Sequence, residues 1–191
     1  MKKSILAIAV ILGMAACTSN PKDTETTEDE AAVNIPDSPF KKAKVDLMSK
    51  SGSSVTGNVH LTESNGIVSM IATVKNAAPG MHAIHIHAEG DCSAKDGSSA
   101  RGHWNPTDQT HGKWGEGSFH VGDIGNIEIG ENGEGFISRD TDMWCIGCKD
   151  ANKDILGKAI IVHEGLDDFT SQPSGAAGPR VACGEIMLNE E

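Results

Sequence analysis

Apolar and polar residues alternate in short runs along most of this chain, and a period of two places every second side chain on one face of a β-strand. Eight such runs, at residues 43–48, 55–61, 67–74, 81–87, 124–129, 135–138, 159–163 and 181–188, stand between clusters of Gly, Asn, Asp and Ser. No stretch carries a convincing helical period. Eight short strands with turn punctuation predict an all-β sandwich or barrel. Two intervals break the rhythm. Residues 88–118 lack a strand pattern and residues 164–179 carry glycines and prolines; long loops within a compact domain are usually functional.

The first residues depart from this pattern. Lys2-Lys3, an apolar run from Ile5 to Leu12 and the small pair Ala15-Ala16 precede Cys17. This order predicts a secretory signal over residues 1–16, too short to span a bilayer. A cysteine directly after small residues resembles a bacterial lipoprotein processing site, with Met14 standing where leucine is usual. That makes Cys17 the expected lipid attachment point, and the lipid the expected membrane contact. Residues 18–39 hold Asp23, Glu25, Glu28, Asp29, Glu30 and Asp37 against Lys22, with three prolines and no apolar period. They read as an acidic tether, leaving residues 40–191 as one domain able to bury a core.

Charge and cysteine content narrow the function. The formal net charge is −11, of which the tether contributes five, so nucleic-acid binding is disfavoured. Five cysteines behind a secretory signal suit an oxidising destination. With Cys17 set aside for lipid, Cys92, Cys145, Cys148 and Cys183 allow three pairings. The Trp144-Cys145-Ile146-Gly147-Cys148 segment has the spacing of a thioredoxin-like redox motif. Its flanks read as strand and turn rather than strand and helix, so a local structural disulfide, accessory metal binding and redox exchange all stay open for this pair.

Six of the eight histidines fall between His82 and Asp123, and several imidazoles beside carboxylates point to metal binding. His85 and His87 share one face of a predicted strand. His82 projects from the other face by parity and reads as a hydrogen-bonded structural histidine; His60, among apolar neighbours, reads as solvent-exposed. His103, His111, His120 and Asp123 stand in turn-rich sequence able to fold onto the strand-mounted pair. Three histidines with one carboxylate suit zinc, and an all-imidazole set suits copper, so two unlike ions are expected.

The segments GMHAIHIHAEGDC, GHWNP, THG, HVGDIGN, IIVHEGLDD and GPRVACG, in this order, resemble copper/zinc superoxide dismutase from about Val45 to Leu188. The resemblance implies an eight-stranded flattened Greek-key β-barrel whose two long loops wall the metals. It implies copper on His85, His87, His103 and His163, and zinc on His103, His111, His120 and Asp123. It further implies a Cys92–Cys183 disulfide, Asp167 linking ligands of both metals, and Arg180 attracting the superoxide anion beside copper. His103, shared by both ions, and Arg180 are then the catalytic residues. The implied reaction turns superoxide into dioxygen and hydrogen peroxide, in a bacterial envelope setting, periplasmic or at the cell surface. A non-catalytic copper- or zinc-binding protein on the same barrel, and a disulfide exchanger built on Cys145 and Cys148, are the competing readings. The sequence leaves open whether two copies pair as a homodimer.

Overall fold

The computed structural model describes residues 40–189. The expected signal segment, the Cys17 attachment point and the tether up to residue 39 lie outside the described residues. Strands β1 (Lys41–Ser49), β2 (Thr56–Ser64), β3 (Ile67–Lys75), β4 (Gly80–His87), β5 (Gly125–Ile129), β6 (Gly135–Thr141), β7 (Ala159–His163) and β8 (Arg180–Glu185) are joined by a two-residue β9 (Met187–Leu188). The order around the sheet is β5-β4-β7-β8-β1-β2-β3-β6, antiparallel in every pairing. The pairings β3–β6 and β4–β7 join strands far apart in sequence and make the connectivity a Greek key. The result is a nearly closed eight-stranded barrel.

Local sequence explains the elements. In β3 the alternation is complete: Val68, Met70, Ala72 and Val74 are buried, while Ile67, Ser69, Ile71 and Thr73 face outward. Asn65-Gly66 closes the β2–β3 hairpin with φ of 51° and 77°, a two-residue turn that glycine and asparagine accept at low cost. The run 181–188, expected as one strand, is broken at Ile186. Its side chain is buried, its backbone bonds to Lys158 and Gly157, and the chain beyond it pairs with β1 instead of β7. Strand β1 likewise pairs β2 over most of its length and β8 at Met48–Ser49, which joins the two halves of the barrel.

The barrel interior is filled by Val45, Val59, Leu61, Ile84, Ile86, Ile127, Ile160 and Val162, all essentially inaccessible. Strands β4 and β7 are buried on both faces, because the 88–118 loop covers their outer side. Ala100, Ala159, Ile161 and Cys183 form a second apolar cluster there, with Cys92 packed against it. Burying a side chain such as Ile161 is worth about 1.5–3 kcal/mol, and the Cys92–Cys183 disulfide fastens the loop to β8 at the same spot. That cluster sets the loop down over the outward face of His85 and His87.

Candidate metal centre

Strand β4 supplies His85 and His87 on its outer face, while Ile84 and Ile86 point into the core. His163 is the last residue of the neighbouring β7. The loop delivers His103 by extending the sheet: Trp104 N–H donates to Ile86 O at 2.8 Å, and His87 and His103 form an isolated antiparallel bridge. One nitrogen from each of His85, His87, His103 and His163 lies within 4.8 Å of the others. His103, His111, His120 and Asp123 form a second group on the same criterion. His103 belongs to both.

The outer hydrogen bonds fix which nitrogen each ring offers. His87 Nδ1 donates to Arg101 O at 2.8 Å, and His163 Nδ1 to Gly178 O at 3.1 Å. His85 Nε2 donates to Asp167 Oδ2 at 2.8 Å. The opposite nitrogens, His85 Nδ1, His87 Nε2 and His163 Nε2, are buried and have no protein partner, as is His103 Nε2. Four buried lone pairs aimed at one spot are costly unless a cation satisfies them, and an all-imidazole set fits copper. In the second group, Asp123 Oδ1 lies 2.8 Å from His103 Nδ1 and 3.1 Å from His120 Nδ1. His111 Nδ1 lies 3.0 Å from Asp123 Oδ2 without hydrogen-bond alignment. Three imidazoles and a carboxylate form the closed four-donor set that zinc prefers.

Asp167, fully buried, ties the two groups together. Its Oδ2 meets His85 Nε2, and its Oδ1 accepts from His111 Nε2 at 2.9 Å. The carboxylate is held in turn by Asn126, which exchanges two hydrogen bonds with the Asp167 backbone. This is the role the family resemblance implies; without that resemblance its sequence reads as an ordinary solvated acid.

Electrostatics follow the burial. Desolvation pulls His163 down to about 3, with the neighbouring His85 adding to the effect. Desolvation likewise pulls His103 down to about 4, against the opposing hydrogen bond from Asp123. His87 falls well below its ordinary value, first from burial and then from His103. For His111, burial opposes the charge but the hydrogen bonds to Asp123 and Asp167 prevail and raise it to about 9. The same contacts hold Asp123 and Asp167 far below the usual carboxylate range despite the cost of burying them. His87, His103 and His163 are therefore neutral and ready to bind a cation near pH 7.

Arg180, first residue of β8, borders the mouth of this site in a cavity of about 380 Å³ that His87, His103 and His163 also line. Its guanidinium donates to Gly97 O and Arg101 O, each at 2.6 Å. Arg101 O thus receives both Arg180 and His87. His82 stands on the opposite face of β4, its ring nitrogens 2.9 Å from His163 O and 2.8 Å from Ala78 O, and His60 is exposed. Cys145 and Cys148 are bridged within the β6–β7 connection, away from both histidine groups. The only helical element among the described residues is the 3₁₀ turn Ser98–Ala100, so no helix follows this pair as a thioredoxin-like motif requires.

This geometry has known counterparts. The family described as copper/zinc superoxide dismutase (SODC) matches residues 55–186, more than half of the chain. The chain belongs to the copper/zinc superoxide dismutase family. An extracellular Cu-Zn superoxide dismutase of Caenorhabditis elegans is 33% identical over 141 residues, covering 71% of this chain and 62% of that protein. The extracellular Cu-Zn enzyme of Haemonchus contortus is 31% identical over 98% of each chain. Cu-Zn superoxide dismutase 2 of Aquifex aeolicus is 34% identical over 76% of this chain and 86% of that one. Among solved structures, the clock protein EA4 superposes with a TM-score of 0.69 at 30% identity, over 78% of this chain and 94% of that one. The cofactors of this family member are copper and zinc, in keeping with its two donor sets.

Two contributors to the site carry no obvious sequence signal. Gln172, in the second loop, both donates to His111 O and accepts from His111 N–H, at 2.9 Å each. Gly175 lies against Asp167. Neither residue type stands out in a loop of small and polar residues.

Proposed function

We propose that the protein is a secreted superoxide dismutase, with copper held by His85, His87, His103 and His163 and zinc by His103, His111, His120 and Asp123. The observation that carries this reading is the membership of one imidazole, His103, in two adjoining donor sets, with its Nε2 among the four unpartnered nitrogens and its Nδ1 against Asp123. Copper supplies one-electron chemistry between its +2 and +1 states, and zinc a redox-silent charge that orients the shared ring.

The balanced reaction takes two superoxide anions and two protons to dioxygen and hydrogen peroxide. Arg180 receives the anion. Its two anchoring carbonyls fix the guanidinium at the mouth, where a planar fork suits a small diatomic anion. His103 moves a proton: Nε2 holds it after the first superoxide has left as dioxygen and gives it up as peroxide departs. Nδ1 of the same ring belongs with Asp123 to the zinc donor set, so zinc held there would leave Nε2 as the nitrogen that takes the proton. Asp167 keeps His85 and His111 in fixed tautomers throughout.

Secretion is supported by the two disulfides, by the signal-like residues 1–16 and by extracellular relatives in two nematodes. A lipid on Cys17 would hold the enzyme at a membrane through the acidic tether. The deciding experiment loads the purified chain with copper and zinc and follows superoxide consumption, alongside His163→Ala. Loss of nearly all turnover in that variant with zinc retained is the expected result. Two bound metals without turnover in the unaltered chain would instead mark a metal-binding protein on the same barrel.

A further inference from the structure

The zinc-side carboxylate is placed by its backbone. Asp123 sits in a turn where its N–H donates to His120 O at 2.9 Å and its Oδ2 accepts from His120 N–H at 2.8 Å and Gly112 N–H at 3.1 Å. These bonds are all internal to the loop that carries the ligands. From outside it, the Ile86 N–H of β4 donates to Gly122 O at 2.9 Å, and two side-chain bonds bracket Asp123. Trp144, in the segment after β6, donates its indole N–H to Val121 O at 2.8 Å. Arg139, on β6, donates from Nη2 to Ile124 O at 2.7 Å. A third contact joins them: Trp114, between His111 and His120 in sequence, lies edge-on to Trp144 at 5.3 Å, with the Arg139 guanidinium 4.6 Å from its ring centre.

Arg139 is an unusual choice for mere packing. No carboxylate of the described residues lies within ion-pairing distance of it, and its Nε is buried without a partner. A half-buried cation held only by a carbonyl and an aromatic face costs stability, and the geometry it secures is what it offers in return. Trp144 is itself immobilised. It is 1% exposed, and the next residues are bridged by Cys145–Cys148 and anchored by Ile146 N–H donating to Glu63 at 2.8 Å.

We infer that Arg139 and Trp144 are positioning residues for zinc, a brace from the β6 side of the barrel that fixes the Val121–Ile124 turn and so aims Asp123. This rests on the assignment of zinc to His103, His111, His120 and Asp123. Outer partners of metal ligands commonly change affinity by about 10- to 100-fold, and this brace acts one step further out, so about tenfold is expected.

The test measures zinc and copper affinities of the full chain by chelator competition, with cobalt(II) as a spectroscopic probe of the zinc set. Arg139→Met and Trp144→Phe should each weaken zinc about tenfold and alter the cobalt spectrum, with copper unchanged. Trp144→Phe keeps a ring and removes the donor, so it serves even if Arg139→Met folds poorly. Arg139→Lys should recover most of the zinc affinity. Val59→Ala, a cavity in the distant core, should lower the melting temperature and leave zinc affinity alone. Unchanged zinc affinity in both brace variants, or zinc and copper affinities falling together in them, overturns the inference. Asp123→Ala separates the two levels: if it leaves zinc binding intact, the metal assignment itself fails and the brace with it.

Discussion

Gly175 presses against Asp167 so closely that a methyl group in its Cβ position would overlap the carboxylate and stand 2.7 Å from His111 Nε2. Its φ of 66° adds a backbone penalty for any other residue. The second loop is thus folded directly onto the acid that joins the two histidine groups, with Asp168 N–H donating to Gly175 O at 3.0 Å.

Gly175→Ala is therefore expected to disturb both metals at once. Either the loop lifts or Asp167 rotates away from His85 and His111, at a cost of about 2 kcal/mol or more. Metal analysis and a thermal melt would check this: copper and zinc occupancy should both fall. Full occupancy with an unchanged melting temperature would show that the loop yields freely.

Much of this architecture is legible in the sequence, and the exceptions share a cause. Strand parity alone puts His85 and His87 together and His82 apart, because a period of two leaves no freedom once the core face is fixed. The strand ladder of β3 can be read directly from its alternation. The bend at Ile186 is not legible, since an apolar residue there continues the pattern while the chain changes sheets. Asp167 is expected only through the family resemblance, while Gly175, Arg139 and Trp144 work across long sequence separations, Gly175 against a side chain and the other two onto backbone carbonyls that carry no residue identity. Local pattern cannot reveal such contacts; only the folded arrangement does.

The metal-free protein should be most stable near pH 6.5. His103 at about 4 and His163 at about 3 lie below their ordinary value near 6.5, so the unfolded chain takes up protons first as pH falls. Their contribution is complete above 6.5 and is lost between 6.5 and about 3. His111, raised to about 9, behaves oppositely: its contribution is complete below 6.5 and is lost as pH rises through 9. Denaturant titrations at pH 4, 6.5 and 9.5 should show a maximum at the middle value. Loading zinc should flatten the alkaline side, because His111 Nδ1 then faces a cation instead of needing a proton. A metal-free profile that climbs steadily to pH 9.5 would contradict this.

Arg180→Glu should lower turnover by about tenfold or more and invert the response to salt. The anion must reach a chain of net charge −11, and the loop 170–177 offers no charged side chain, so Arg180 carries much of the local positive field. With arginine, added salt screens an attraction and slows the reaction; with glutamate it screens a repulsion and speeds it. Kinetics over a series of ionic strengths would decide. Equal slopes in both proteins would remove Arg180 from the approach of the substrate.

Arg101 occupies a backbone conformation, φ 61° and ψ −153°, that glycine adopts at little cost and other residues only under strain of about 1–3 kcal/mol. What the position supplies is its carbonyl, which accepts from His87 Nδ1 and from Arg180 Nη2. Its side chain is 73% exposed and its Nε lies 3.8 Å from Glu89, an ion pair of small value in water. Arg101→Gly should keep the carbonyl in place and relieve the strain. Part of the gain is offset by the extra freedom of glycine in the unfolded chain, about 0.5–1 kcal/mol. The net expectation is stabilisation by about 1 kcal/mol, read as a rise in melting temperature of about 2–4 °C. Copper affinity should be unchanged, because the acceptor for His87 is backbone. A lower melting temperature would mean that the arginine side chain, not the carbonyl alone, holds the loop against β8.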